Sequence, residues 1–315
     1  MELVRGLYNL RPEHRGCAAT IGNFDGVHLG HQRVLEEIAE RARVAGRRSV
    51  LVTFEPHPLE IVNPQAAPPR LTVGAERHEI LAQSELDAVA FIEFDRALSK
   101  CSPEEFVTRL VDRFNVKELV IGYDHGFGKG RAGNVDLLRV LGGQIGFAVD
   151  VVEEVDFDSR PVSSTRVRRE VAGGDLDSAR QLLGRHYSMV ALVIPGMGRG
   201  RHLGYRTINL KVESPQKLLP PNGVYAVFVE WAGGSSAGMM HQGPRPTFGE
   251  EERSLEVHLL DVHAELYGAE VKVSWVERLR DVTTFNSPDE LIKQLERDYV
   301  AARSALTGPN GFGNH

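Results

Sequence analysis

Cysteine is nearly absent: Cys17 and Cys101 are the only two in 315 residues. That excludes a disulfide framework and leaves reduced thiols as the expectation. Long apolar runs are missing too. The longest uncharged apolar stretch, Tyr187 to Gly198, is too short to span a bilayer and contains Pro195. Met1-Glu2-Leu3-Val4-Arg5 has no apolar core of a secretory signal. Basic charge is in deficit, with 37 Lys and Arg against 43 Asp and Glu for a net charge of −6. A general nucleic-acid coat needs the opposite balance. The expectation is a cytoplasmic protein with no membrane and no nucleic-acid partner. What the chain does have is 42% hydrophobic and 25% charged residues, which excludes disorder as its dominant state. Its length suits two domains of about 150 residues each, or one large one.

The first half alternates strand and helix patterns. Cys17–Ile21 reads as a buried strand, followed by a glycine-rich turn and a helix from about His31 to Ala45. Val34, Leu35, Ile38, Ala39 and Ala42 fall on one face of that helix, and Ser49–Phe54 is the next strand. Ala88–Phe94 and Glu118–Gly122 read as strands around a helix over Pro103–Phe114, with Ser102 as N-cap and Glu105 closing a capping box. A short helix over Gly133–Leu141 and a strand over Ile145–Val152 follow. This alternation predicts an α/β fold with a doubly wound, mostly parallel sheet.

After about residue 186 the pattern changes. Tyr187–Ile194, Gly223–Glu230, Leu255–Leu260 and Glu270–Val276 read as strands with turn clusters between them, as in an antiparallel β-barrel or sandwich. In Leu255–Leu259 the apolar Leu255, Val257 and Leu259 alternate with Glu256 and His258. A C-terminal helix starts at Ser287-Pro288-Asp289-Glu290. The expected organisation is a domain over 1–186, a β domain over 187–307, and a disordered tail over 308–315, with two short helices near 165–184 as the join.

The sharpest local motif is Gly22-Asn23-Phe24-Asp25-Gly26-Val27-His28-Leu29-Gly30-His31-Gln32, set between a strand and a helix. A helix N-terminus offers unpaired N–H groups and partial positive charge. Two histidines three residues apart add donors, and Gly30 lets backbone approach a ligand, which suits a phosphate chain. A turn with solvated histidines, or two metal ligands lacking obvious partners, fits the same spacing. Ser163-Ser164-Thr165-Arg166-Val167-Arg168 forms a second candidate anion site at a helix start, or an ordinary cap with solvent-facing arginines. Gly128-Lys129-Gly130-Arg131-Ala132-Gly133 matches a dinucleotide-binding pattern, but its strand ends near Gly122, too early for the tight turn required. The P-loop pattern is absent, because Lys129 is followed by Gly130.

In the β half, Gly196, Gly198 and Gly200 alternate ahead of Gly204-Tyr205-Arg206-Thr207-Ile208-Asn209. Such glycines can wrap backbone N–H groups round a phosphate or simply form a hairpin. Thr207 and Asn209 supply neutral oxygens one residue apart, which suits a magnesium ion shared with a nucleotide. Glu256, on a polar strand face, suits a base for an attacking hydroxyl, or is merely solvated.

Gly22–His31 resembles the histidine-x-glycine-histidine signature of the nucleotidyltransferases, and its longer form resembles the bacterial bifunctional riboflavin kinase/FAD synthetase family. Phe54-Glu55-Pro56-His57-Pro58, Gly122–Gly128 and Ser163–Arg168 agree with it in order. The likeness continues through Thr207, Asn209, Gly243–Phe248, Glu256, Leu266-Tyr267-Gly268 and Leu279-Arg280-Asp281. Arg206 and Ile208 stand where the family usually has proline and alanine, and His241-Gln242 where Asn-Ile is usual.

The resemblance implies an N-terminal FMN adenylyltransferase domain and a C-terminal riboflavin kinase barrel, turning riboflavin into FMN and FMN into FAD with ATP as co-substrate and Mg2+. It gives His28, His31 and Glu256 catalytic roles, and Thr207 and Asn209 the metal. Gly22, Asn23, Phe24, Gly30, Ser164, Thr165, Arg168, Gly198, Gly200 and Gly204 would hold ATP. His57, Asp124, Phe127 and Arg280 would hold flavin. The residues also fit an adenylyltransferase with an impaired kinase module, or a non-catalytic flavin-binding regulator; oligomeric state is left open.

Overall fold

The computed structural model describes residues 1–6, 16–123, 126, 128, 133–196, 205–245, 250–262 and 264–307, without the side chains of 245 and 250–253. The expected tail over 308–315 lies outside them. Two compact units emerge, Met1–Pro69 with Arg77–Ser164, and Arg70–Glu76 with Thr165–His315.

In the first unit β1 (Glu2–Arg5), β2 (Ala18–Ile21), β3 (Ser49–Glu55), β4 (Ala88–Glu93), β5 (Glu118–Gly122) and β6 (Ala148–Val152) form one sheet in the order β1-β4-β3-β2-β5-β6. Every pairing in it is parallel. The helices are α1 (Leu29–Val44), α2 (Pro58–Val62), α3 (Gly74–Ala82, which continues from the second unit), α4 (Pro103–Phe114) and α5 (Val135–Ile145). Strand residues alternate between two cores, as a period of two requires. Ala19, Ile21, Val50, Val52, Leu119 and Ile121 share a core with Phe106, Leu110 and Phe114 of α4 and Leu138 of α5. Ala18, Leu51, Val89 and Val120 share the other with Val34, Leu35 and Ile38 of α1. The sheet is therefore covered on both faces. A short hairpin, β7 (Asp156–Phe157) and β8 (Arg160–Pro161), precedes the unit's end.

The capping box at α4 is present as expected: the Ser102 hydroxyl accepts the Glu105 N–H, and Glu105 accepts the Ser102 N–H. The next helix and strand are displaced from the expected bounds. Asn134 caps α5 by accepting the Leu137 N–H at 3.0 Å, and Gly146 ends it at φ 95°, so Ile145 is helical and β6 waits until Ala148. What positions the site is topology. β2 and β5 are neighbours, and the chain leaves the C-terminal end of β2 toward β3 but that of β5 toward β6, so the two connections part in opposite directions, where such folds open a crevice.

In the second unit α6 (Ser164–Gly173, begun in the first unit) and α7 (Leu176–Leu183) lead into a closed barrel. Its strands are β9 (Tyr187–Ile194), β10 (Thr207–Val212), β11 (Gly223–Trp231), β12 (Gly234–Arg245), β13 (Glu250–Leu259) and β14 (Glu270–Arg280), ordered β10-β13-β12-β11-β14-β9. All neighbours are antiparallel. Two of these strands, β10 and β12, were not among those expected from sequence. Gly234-Ser-Ser-Ala-Gly238 is poor in strand-forming residues, but the tight turn at Gly233, φ 98°, folds it back on β11 in register from Trp231↔Gly234 to Gly223↔Gln242. The C-terminal helix α8 (Pro288–Thr307) buries Ala302 and Leu306 against Val224, Ala226, Phe228 and Met239 on the outside of the barrel. That explains why β11 is buried along most of its length, on both faces.

Candidate active sites

The loop after β2 is held in an unfavourable backbone shape. Phe24 has φ 46° and Val27 φ 40°, a region that β-branched and bulky residues avoid. Such a loop persists only where its surroundings over-determine it. Four of its carbonyls accept side-chain hydrogen bonds: Gly22 from Thr53 at 2.7 Å, Asn23 from Arg77, Asp25 from Ser164 at 2.9 Å, and Val27 from Gln32 at 2.9 Å. Arg77, buried at 3% exposure, also donates to the Thr53 hydroxyl and to the Phe54 carbonyl. With these carbonyls turned to protein donors, their negative ends are kept from an anion at the loop.

His28 caps α1, its Nδ1 accepting the His31 N–H at 3.4 Å. A ring nitrogen that accepts carries no proton, so Nε2 of His28 is the donor. Phe24 lies against the His31 ring with centroids 4.6 Å apart. The first turn of α1 contains no acidic residue, whereas α4 carries Glu104 and Glu105 there. The positive end of α4 is met by its own carboxylates, and the first turn of α1 has none. Gly22 is needed where it stands, because an added Cβ would come 2.9 Å from the Phe24 ring.

His57 is buried and caps α2, its Nδ1 accepting the Leu59 N–H at 3.2 Å, while its Nε2 lies 3.3 Å from the Asn23 amide. Gly22, Asn23, Phe24, His28, Gly30, His31, His57 and Ser164 thus gather round the end of β2. Thr165 and Arg168 follow Ser164 on α6 but belong to the second unit. Asp124 and Phe127 lie outside the described residues. Nothing local to Arg77 or Thr53 marks them as supports, and sequence reading missed both.

In the barrel, side chains directly opposite on paired strands share a face. One row holds His241, Glu256 and Asn209; the next holds Met239, His258 and Thr207. Ile208, Leu255, Val257 and Leu259 alternate with them and are buried. The Thr207 hydroxyl donates to Glu256 Oε2 at 3.0 Å. An added Cβ at Gly196 would overlap the Asn209 amide. The Arg206 side chain is exposed. Gly198, Gly200 and Gly204 lie outside the described residues, as do Pro246, Thr247 and Phe248.

Arg280 is occupied by protein. Its Nε and Nη2 donate to Asp298 at 2.9 and 2.6 Å, and its Nη1 to the Asp281 carbonyl at 2.9 Å. Asp298, on α8, is only 3% exposed. Tyr205 sits near it; burial first, then Glu296, Tyr299 and Asp298, push its phenol above the ordinary range. Among the described residues no group of three or more His, Cys, Asp or Glu could hold a metal ion.

Residues 10–166 match a family model described as FAD synthetase, and residues 183–306 one described as riboflavin kinase. A bifunctional riboflavin kinase/FMN adenylyltransferase of Pseudomonas fluorescens is 42% identical over 98% of this chain and 99% of its own. The protein of that description from Escherichia coli K12 is 37% identical over 98% of this chain and 100% of its own. A solved chain described as a macrolide-efflux protein from Streptococcus pneumoniae superposes with a TM-score of 0.84 at 28% identity, covering 96% of this chain and 99% of that one. No helix among the described residues is long and apolar enough to cross a membrane.

Proposed function

Since the chain belongs to the bifunctional riboflavin kinase/FMN adenylyltransferase family, we propose that it makes FAD from riboflavin in two ATP-dependent steps, each with its own residues. The observation that carries this reading is that one chain holds both an acid-free helix N-terminus faced by stacked histidines and a separate strand face pairing Thr207 with Glu256.

In the barrel the terminal ribityl hydroxyl attacks the γ-phosphorus of ATP. Glu256 takes its proton, the bond to the β-phosphate oxygen breaks, and FMN and ADP result. Thr207 and Asn209 would hold magnesium. Their neutral oxygens suit a hard cation already met by phosphate charge, and the Gly196 backbone leaves room round the Asn209 amide. When bound, the ion supplies charge neutralisation at the phosphate oxygens. In the first unit an FMN phosphate oxygen attacks the α-phosphorus of a second ATP, and pyrophosphate leaves. His28 Nε2–H, His31 and the α1 N-terminus stabilise the charge that grows on the leaving group, with no covalent intermediate.

The modules run over 1–186 and 187–307, with α6 counted in the first because its Ser164 pins the Asp25 carbonyl. Gly22, Asn23, Phe24, Gly30 and Ser164 would receive ATP phosphates in the first unit, and His57 the flavin. Gly198, Gly200 and Gly204 would cradle phosphate in the second, and Arg280, braced by Asp298, would face flavin. A chromatographic time course with riboflavin, ATP and magnesium tests the scheme: FMN appears first, then FAD. FAD from added FMN but no product from riboflavin would remove the kinase step, and no FAD from either would remove the adenylylation.

A further inference from the structure

His258 follows Glu256 by two residues on β13 and stands directly opposite Thr207 on β10, so the three side chains share one outer face of the barrel. Its Nδ1 lies 2.7 Å from the carbonyl oxygen of Arg206. A carbonyl only accepts, so Nδ1 carries the proton and donates it. The ring is edge-on to Tyr205 with centroids 5.1 Å apart, and 6.4 Å from Tyr299 of α8. Two aromatic neighbours fix the ring, and the ring fixes a peptide. That peptide joins Arg206 to Thr207, whose hydroxyl donates to Glu256 at 3.0 Å.

We propose that His258 is a positioning residue of the phosphoryl-transfer site: by holding the Arg206 carbonyl it sets where Thr207 stands relative to Glu256. This rests on the reading of Thr207 and Glu256 as kinase residues. A phenylalanine would fill the same space between Tyr205 and Tyr299; the donor is what it lacks. Small misplacements of reacting groups carry large rate penalties, so a loosened 206–207 peptide acts on turnover more than on substrate binding.

The test uses the full chain and measures riboflavin phosphorylation for His258→Phe, His258→Asn and His258→Gln. An Asn amide N–H stands close to where the Nδ1–H stood; a Gln amide is displaced by a methylene. His258→Phe lowers kcat roughly tenfold with the riboflavin KM within about twofold, as expected for a lost hydrogen bond. His258→Asn recovers to within about threefold of the parent, and His258→Gln does not. Thermal melting and FMN adenylylation by each variant report its folding. Parent-level turnover in His258→Phe, or equal turnover in the Asn and Gln variants, would overturn the proposal. Should His258→Phe not fold, the Asn and Gln pair decides alone. Glu256→Gln, assayed beside them, separates the two claims: if it retains parent turnover, the kinase reading of the site fails, whatever His258 does.

Discussion

The imidazoles of His28 and His31 are stacked, with centroids 3.7 Å apart and planes 19° from parallel. Helix geometry alone does not bring residues 28 and 31 ring to ring, because His28 is not helical: at φ −72° and ψ 172° it is the cap. Its ring turns back over the first turn to accept the His31 N–H. Gly30 permits this, since an added Cβ would come 3.2 Å from the His28 ring and 3.6 Å from the Val162 carbonyl. The pair works as one surface at the end of α1.

Replacing His31 with alanine removes both the donor and the ring that steadies His28. FAD formation from FMN falls by roughly 10²–10³, the usual cost of a lost transition-state donor. FMN formation from riboflavin stays at the parent rate. Separate steady-state assays of the two steps check this; an equal fall in both would contradict the assignment of the histidines to one step.

Asp87 supplies a pH dependence. Burial raises its carboxyl pKa, but the Ser49 N–H, the Arg48 guanidinium and the Ser49 hydroxyl together hold it below the ordinary carboxylate range. A lowered folded-state pKa means stability that is present above the unfolded value, about 3.9, and lost as pH falls through the folded value. Asp87→Asn therefore costs on the order of 1 kcal/mol at neutral pH, discounted for an exposed partner. The difference vanishes in acid. Urea denaturation across pH measures it, and a gap independent of pH would refute the linkage.

Glu76 and Lys217 form a buried ion pair, 2.7 Å apart at side-chain exposures of 3% and 0%. Burial pushes the Glu76 carboxyl up, while Lys217 and Arg185 pull it down. The lysine also donates to the Leu71 carbonyl at 2.6 Å and lies 4.3 Å from the Tyr187 ring centroid. Lys217→Met alone strands a buried carboxylate and costs about 3–5 kcal/mol. Adding Glu76→Leu restores part of that loss. A double-mutant cycle by chemical denaturation checks the coupling, and additive losses would deny it.

That pair also explains a feature of the chain that no local pattern announces. Arg70–Glu76 belongs to the second unit although it lies in the first half of the sequence. The Arg70 N–H donates to the Gln216 carbonyl and the Leu218 N–H to the Arg70 carbonyl, both at 2.8 Å, and Lys217 between them takes Glu76. The change of pattern near residue 186 is a real change of architecture, but contacts group α6, after Ser164, and α7 with the barrel.

By itself the sequence determined the alternating strands and helices of the first half, the change to β-structure near residue 186 and the motif over 22–31, because each of these is written in neighbouring residues; β10, β12 and the closure of the barrel were not legible there. Alternation of two reports which face of a strand is buried, and a cap or a signature needs only a few consecutive side chains. Tertiary structure alone decided the rest. Arg77 reaches Asn23 from 54 residues away, Asp298 meets Arg280 across 18, and His258 meets Arg206 across 52. Periodicity carries no record of such pairs. They arise when strand order and register bring distant backbone together, and a buried donor must then find whatever acceptor the topology has placed beside it.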